Sequence, residues 1–407
     1  MSDPKTFGEK VIEESKKLLE AGLDANQIAG ALCRKDPQGK NYGIGNLLEG
    51  DGKPMATSST LLDYAKAELM ESTKGNYLNS EALMGEMTES VLRWQGIPET
   101  LWPHFTLLLP SDAGTGAVQT AIQAALLSQP GLTTLAVEKL GWPAYRALAN
   151  TARLQFQEFP SDGVATGAGV LPLYQAGPLN TTGHVSNRDI VQKRARDAKG
   201  APVILDRAYS GFELARHLDE MPYEDLMRKS FQGQVEPFVE AETSFFVALS
   251  PTKAFVTFAL RPCGMLLAFT PERTRKAEIT RLLTGIIRAR GSSFEHPVTR
   301  AFVKAMVKDR ARLQAEHSQA LRRVANAQAL WKKLSKGTAI EALFSETYAG
   351  LFRNPKVQPG AAAEIYGAHF YPVFTQDRCR LNITGLPSNE TQAAAHVALF
   401  ARHCEGA

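Results

Sequence analysis

The stretch ALSPTKAFVTFALRPCG, residues 248–264, places Lys253 just after an apolar run ending at Ser250, with Arg261 farther along. A lysine behind the carboxyl end of a buried strand projects into the crevice where open α/β sheets bind ligands. Upstream, APVILDRAYSGFE ends its apolar run at Asp206 and sets Tyr209 soon after. A carboxylate there can accept a hydrogen bond from a protonated ring nitrogen, and a phenol can hold a ring oxygen. Asn180, in GPLNTTG, is a second group able to reach such an oxygen. SDAGTGAVQTAIQAAL is a glycine-rich turn running directly into a helix, where backbone N–H groups and the helix dipole favour a phosphate. Singly, each feature is an ordinary strand end or turn.

The elements that must carry these residues follow from the apolar pattern. FTLLL near 105–109, TTLAV near 133–137, APVILD at 201–206, FFVALS at 245–250 and GMLLAF at 264–269 alternate with helical segments. Short apolar runs between helices predict an α/β core, a largely parallel sheet buried on both faces. Phe7, Val11, Ile12, Leu18 and Leu19 recur at helical spacing, so a short helix opens the chain. KNYGIGNLLEGDGKPM then reads as an extended segment leading into a loop, a place for a domain boundary. Thr299 to about Lys336 has few breakers and is expected to form one long helix, with Leu321, Val324, Trp331 and Leu334 on one face. Its basic residues, Lys304, Lys308, Arg310, Arg312, Arg322, Arg323, Lys332 and Lys333, read as a solvated face. The tail, with HFYPVF, CRLNIT and a last helix, has α+β character and is expected to pack with the amino-terminal helix. The expected division is a large domain over 51–315 and a small one from 1–50 and 316–407.

Composition narrows the function classes. The 407 residues carry 46 basic and 42 acidic side chains, a net charge of +4 that argues against a nucleic-acid surface or a patch for an anionic membrane. Hydrophobic residues at 44% and charged ones at 22% exclude disorder and a fibrous repeat. Cys33, Cys263, Cys379 and Cys404 form no CxxC pair, so free thiols and a cytoplasmic location are expected. The start of the chain lacks the apolar core of a signal peptide, and no run is long enough to span a membrane. The scattered histidines suggest no metal site, and no GxSxG turn supports a hydrolase.

From about Gly43 to Gly385, the order and spacing of these motifs resemble the aspartate and aromatic aminotransferases, class I members of the fold type I pyridoxal phosphate enzymes. The resemblance implies a large domain with a mostly parallel sheet, a small α+β domain built from both termini, and a homodimer with shared active sites. It makes Lys253 the Schiff-base lysine and Arg261 the clamp on the cofactor phosphate, helped by Ser250, Thr252, Gly114 and Thr115. Asp206 corresponds to the partner of the pyridine nitrogen, and Tyr209 and Asn180 to the pair on the phenolic oxygen. Trp142, in GWPAY, matches the ring-stacking tryptophan, and Tyr77, in TKGNYL, the tyrosine that reaches the neighbouring subunit's phosphate. Arg380, in RCRLNITGL, corresponds to the arginine for the substrate α-carboxylate, a role that suits a planar guanidinium fork. Gly45 lines the substrate side. Arg300 takes the position of the arginine for a second carboxylate, its alternative being a plain helix-face arginine. Ala113 replaces a serine, Thr181 a proline, and Tyr145 and Gln175 the histidines behind the pyridine-binding aspartate. The implied activity is amino-group transfer between an acidic or aromatic L-amino acid and a 2-oxo acid. A pyridoxal phosphate lyase, cyclase or other specialised amino-acid enzyme is the alternative.

Overall fold

Seven short strands form the central sheet: β1 (Phe105–Leu108), β2 (Thr134–Glu138), β3 (Gln155–Phe159), β4 (Val170–Gln175), β5 (Val203–Arg207), β6 (Phe245–Leu249) and β7 (Met265–Phe269). Every residue of β5, β6 and β7 is buried, as their uninterrupted apolar runs require of strands covered on both faces. The order is β1-β7-β6-β5-β4-β2-β3. Only β7 runs against its neighbours, pairing antiparallel with β1 and β6, and β2 to β6 are mutually parallel. Register aligns Gln175 with Asp206 and Asp206 with Ala248, so the carboxyl ends of β4, β5 and β6 lie side by side. The computed structural model describes residues 5–50, 52–198, 200–291 and 295–406.

The sheet belongs to a unit made of Ala56–Leu179 and Ser186–Leu321. The helix Ala113–Ser128 packs Ala117, Ala121 and Ile122 into a core with Leu135, Leu173, Ile204 and Leu266. A second unit comprises Met1–Met55, Asn180–Val185 and Arg322–Ala407, and so takes in six residues from inside the sheet-bearing segment. There the helix Phe7–Glu20 starts at a capping box of Thr6 and Glu9, and contributes Val11 to a core with Ile28, Leu32, Tyr366 and Tyr371. Among the described residues no helix is long and apolar enough to cross a membrane.

Three expectations change. The segment before Lys40 holds a further helix, Ala25–Lys35, announced by a capping box of Asp24 and Gln27. The predicted long helix is two, Pro297–Lys308 and Arg310–Leu334. Asp309 leaves the helical region at φ −129°, its carboxylate taken by the Tyr64 hydroxyl at 3.1 Å and by Arg312. Lys304 and Arg323 do not belong to a solvated face. Lys304 pairs with buried Glu68, and Arg323 donates to the carbonyls of Leu48, Thr384 and Leu386.

Candidate active site

Lys253 sits on the short helical turn Pro251–Ala254, started by Ser250, whose hydroxyl accepts from the Thr252 N–H at 3.3 Å. The proline at the first helical position has its φ preset for that turn. Lys253 Nζ lies 5.6 Å from the Tyr209 ring centroid and 5.7 Å from that of Phe258. Asp206 feels its charge. The structure therefore brings together the lysine, the carboxylate and the tyrosine singled out from two separate stretches.

Asp206 is buried, and each of its oxygens is held. Oδ1 accepts from the Ala208 N–H at 2.9 Å and Oδ2 from the Tyr145 hydroxyl at 2.6 Å. Burial raises the Asp206 pKa above the usual carboxylate range, while Tyr145, Ala208 and Lys253 pull it back towards the ionised form. Burial, then the neighbouring carboxylate, pushes the Tyr145 phenol up, so it stays a donor. The Trp142 ring meets Tyr145 edge-on, centroids 5.4 Å apart. Gln175, the other replaced position, donates its backbone N–H to Glu138 at 2.7 Å. Glu138 in turn pairs with Arg194 at 2.9 Å, both 2% exposed.

The glycine-rich turn leads into the helix Ala113–Ser128 through two left-handed residues, Asp112 and Ala113. A Cβ on Gly114 would stand 2.8 Å from the Ser250 Cβ, so only glycine lets the helix start approach that serine. Thr115 lies in the same first turn, partly exposed. Among the described residues the buried Thr257 Oγ1 has no hydrogen-bond partner, and Arg261 follows it at φ 41°, its side chain exposed and its N–H on the Thr257 carbonyl. This set fits the cofactor that the resemblance implies. Helix N–H groups, hydroxyls and an arginine suit a phosphate, a held carboxylate suits a protonated ring nitrogen, and an amine stands nearby.

Asn180 and Arg380 fall in the other unit. Arg380, on the strand Arg378–Asn382, is 8% exposed, donates to Asn26 Oδ1 and to the Gly43 carbonyl at 3.0 Å, and stacks 4.5 Å over the Phe352 ring. Asn382 donates to the carbonyls of Ile44 and Asn46, which fixes Gly45 between them with open space where a side chain would be. Thr181 follows a trans peptide bond, as do all described residues. Tyr77 is 82% exposed.

Arg300 is held inside the protein. It is 5% exposed, with Nε on Glu68 at 3.0 Å, one terminal nitrogen on the Glu295 carbonyl at 2.6 Å and the other on Ser72 Oγ at 2.8 Å. A guanidinium engaged on all three nitrogens, one of them with a buried carboxylate, forms an internal ion pair, the plain reading set against a substrate role. Sequence reasoning also missed Arg207, wholly buried on β5 beside Asp206. Its signal was a cation closing an otherwise apolar strand.

Residues 110–352 match the family model of class I and II aminotransferases. No curated protein matches the chain. Among solved structures it is similar to the aromatic-amino-acid aminotransferase of Burkholderia pseudomallei covalently bound to pyridoxal phosphate, at 19% identity and TM-score 0.75, covering 92% of this chain and 95% of that one. The aspartate aminotransferase of Plasmodium falciparum is similar at 17% identity and TM-score 0.72 over 93% and 97% of the two chains. The cytoplasmic aspartate aminotransferase of Giardia lamblia is similar at 16% and 0.72, over 93% and 94%. The likeness extends over both units, and the family model spans every strand from β2 to β7 together with Lys253, Asp206 and the helix start at Gly114. The chain belongs to the class I and II aminotransferases.

Proposed function

We propose that this pyridoxal phosphate-dependent aminotransferase works through Lys253, moving an amino group between an acidic or aromatic L-amino acid and a 2-oxo acid. The observation that carries the assignment is the grouping of Lys253, Tyr209 and the doubly held Asp206 at the carboxyl ends of neighbouring strands. Bound pyridoxal phosphate supplies an electron sink conjugated to the substrate's α-carbon. Gly114, Thr115, Ser250, Thr252 and Arg261 would hold its phosphate, Asp206 its ring nitrogen, Tyr209 and Asn180 its ring oxygen, and Trp142 its ring face. Asp206 would accept a hydrogen bond from that ring nitrogen, and the Tyr145 and Ala208 donors favour its charged form against the opposing effect of burial. Lys253 Nζ would accept the proton from the substrate's α-carbon as general base and give it up again as general acid. Arg380, seated on Asn26, Gly43 and Phe352, orients the substrate by its α-carboxylate, beside Gly45. The acidic or aromatic side chain is supported by the solved structures to which this chain is similar.

A homodimer and a cytoplasmic location belong to the same proposal. Leu62, Leu69, Met70 and Tyr77 stand exposed on and after the helix Ser59–Glu71, an apolar surface of the kind subunits bury, and the four cysteines are free.

The test is a donor screen with the cofactor-loaded protein. Acidic or aromatic donors should yield their 2-oxo acids in step with amination of an added 2-oxo acid, and Lys253→Ala should abolish both turnover and the visible cofactor band. Release of ammonia or CO2 without oxo-acid exchange would overturn transamination, and turnover by Lys253→Ala would remove the lysine from the chemistry.

A further inference from the structure

Arg207 follows Asp206 on β5, so the two side chains leave opposite faces of the sheet. Asp206 is turned to Tyr145, and Arg207 to an interior where its guanidinium is 1% exposed. All three nitrogens are used. Nε donates to Gln95 Oε1 at 3.0 Å, one terminal nitrogen to Ser230 Oγ at 2.7 Å, and the other to the Ala176 carbonyl at 3.4 Å. Ser230 passes the contact on, donating its own proton to Glu213. Ser210 Oγ bridges Gln95 Oε1 at 3.2 Å and the Arg207 carbonyl at 2.8 Å. Glu213 is the carboxylate that answers the buried cation.

This network closes on one piece of backbone. Residues 206–213 form a tight turn in which the Ser210 N–H bonds the Arg207 carbonyl at 3.2 Å and the Phe212 N–H the Tyr209 carbonyl at 3.0 Å. Tyr209 therefore stands between two residues, Arg207 and Ser210, that are tied to the same Gln95. The Ala176 contact anchors the end of β4 as well, and the next residue, Gly177, brings the space of its missing side chain within 3.5 Å of Glu213 and 3.6 Å of the Tyr209 carbonyl.

We infer that Arg207, paired with Glu213 through Ser230, is a positioning residue that sets the orientation of Asp206 and Tyr209 from the far side of the sheet. It touches neither substrate nor cofactor. The inference rests on the assignment of Asp206 and Tyr209 to the pyridoxal phosphate ring.

The experiment compares Arg207→Met, Arg207→Lys, Glu213→Gln and the double variant Arg207→Met/Glu213→Gln with the wild type. The readouts are melting temperature without cofactor, affinity for pyridoxal phosphate by absorbance titration, and the pH midpoint of the bound cofactor's visible band. Each single loss of charge should lower the melting temperature, because it strands a buried partner. The double variant should recover melting temperature yet bind pyridoxal phosphate about tenfold or more weakly with a displaced midpoint, as expected when an outer support is lost. Arg207→Lys should keep the charge but bind weakly too, since an ammonium cannot serve three fixed acceptors as the fork does. Recovery of wild-type affinity and midpoint by the double variant, or their retention in Arg207→Lys, would overturn the inference. If Arg207→Met does not fold, Arg207→Lys decides. A wild-type protein with no visible band would instead sink the cofactor assignment, and that is seen before any variant is made.

Discussion

Tyr145 shows how a single side chain can replace another kind of support. It occupies a position where the resemblance leads one to expect histidine, yet its hydroxyl reaches Asp206 at 2.6 Å and stabilises the charged carboxylate. A hydrogen bond to a charged group contributes about 1.5–3 kcal/mol. In Tyr145→Phe the Asp206 pKa should rise, because the hydrogen bond that lowers it is lost. Activity needs the ionised form, so the acid limb of the kcat/KM profile moves to higher pH, and an unmoved limb would show that Tyr145 does not set it. Arg300 gives the opposite lesson. Glu68 is 3% exposed and, among the described residues, keeps Lys304 as its ion-pair partner when Arg300 is lost. Arg300→Leu should cost about 3 kcal/mol of stability, measured by denaturant unfolding, because a buried carboxylate loses its better partner. The ratio of acidic to aromatic donor turnover should stay as it was, and a selective loss of acidic donors would restore a substrate role.

At the level of elements, the helix Arg310–Leu334 carries His317 into an aromatic enclosure of Trp94, Phe212, Tyr223 and Phe255. Tyr223 Oη lies 2.6 Å from its Nδ1 and Trp94 Nε1 3.3 Å. Burial lowers the His317 pKa from 6.5 to about 3, so folding requires the neutral ring. The unfolded chain takes up the proton first as pH falls, and between 6.5 and about 3 this one group should cost about 1.4 kcal/mol of stability per pH unit. Stability from this source is complete above pH 6.5. His317→Gln should flatten the fall of melting temperature between pH 6 and 4 relative to wild type, and parallel curves would refute the assignment. Which elements were legible in the sequence follows from how they are buried. β5, β6 and β7 are continuous apolar runs because both faces are covered. β3 was not legible, since Gln155, Gln157 and Glu158 lie exposed on an edge strand, and Pro172 inside β4 argues against a strand on local grounds. At the break, the Asp309 carboxylate accepts from Tyr64, far away in the chain.

For the molecule as a whole, the exposed apolar residues of the Ser59–Glu71 helix bear on assembly. Sedimentation should give a species of twice the 44.4 kDa chain, and Leu69→Asp/Met70→Asp should shift it to the monomer and lower turnover, if Tyr77 serves a neighbouring site. A monomeric wild type at micromolar concentration would remove the dimer from the proposal. The sequence by itself determined which chemical groups exist and in what order, from the helix start at Gly114 through Asp206 and Tyr209 to Lys253 and Arg380, together with the α/β class. Those features are local, written in apolar runs and in residues beside turns. Only the tertiary structure decided which charges are paired in the interior. Arg300 meets Glu68 across 232 residues, and Arg207 meets Gln95 across 112. A charge is buried or free according to the partner that folding delivers, and that partner is a property of the packed interior.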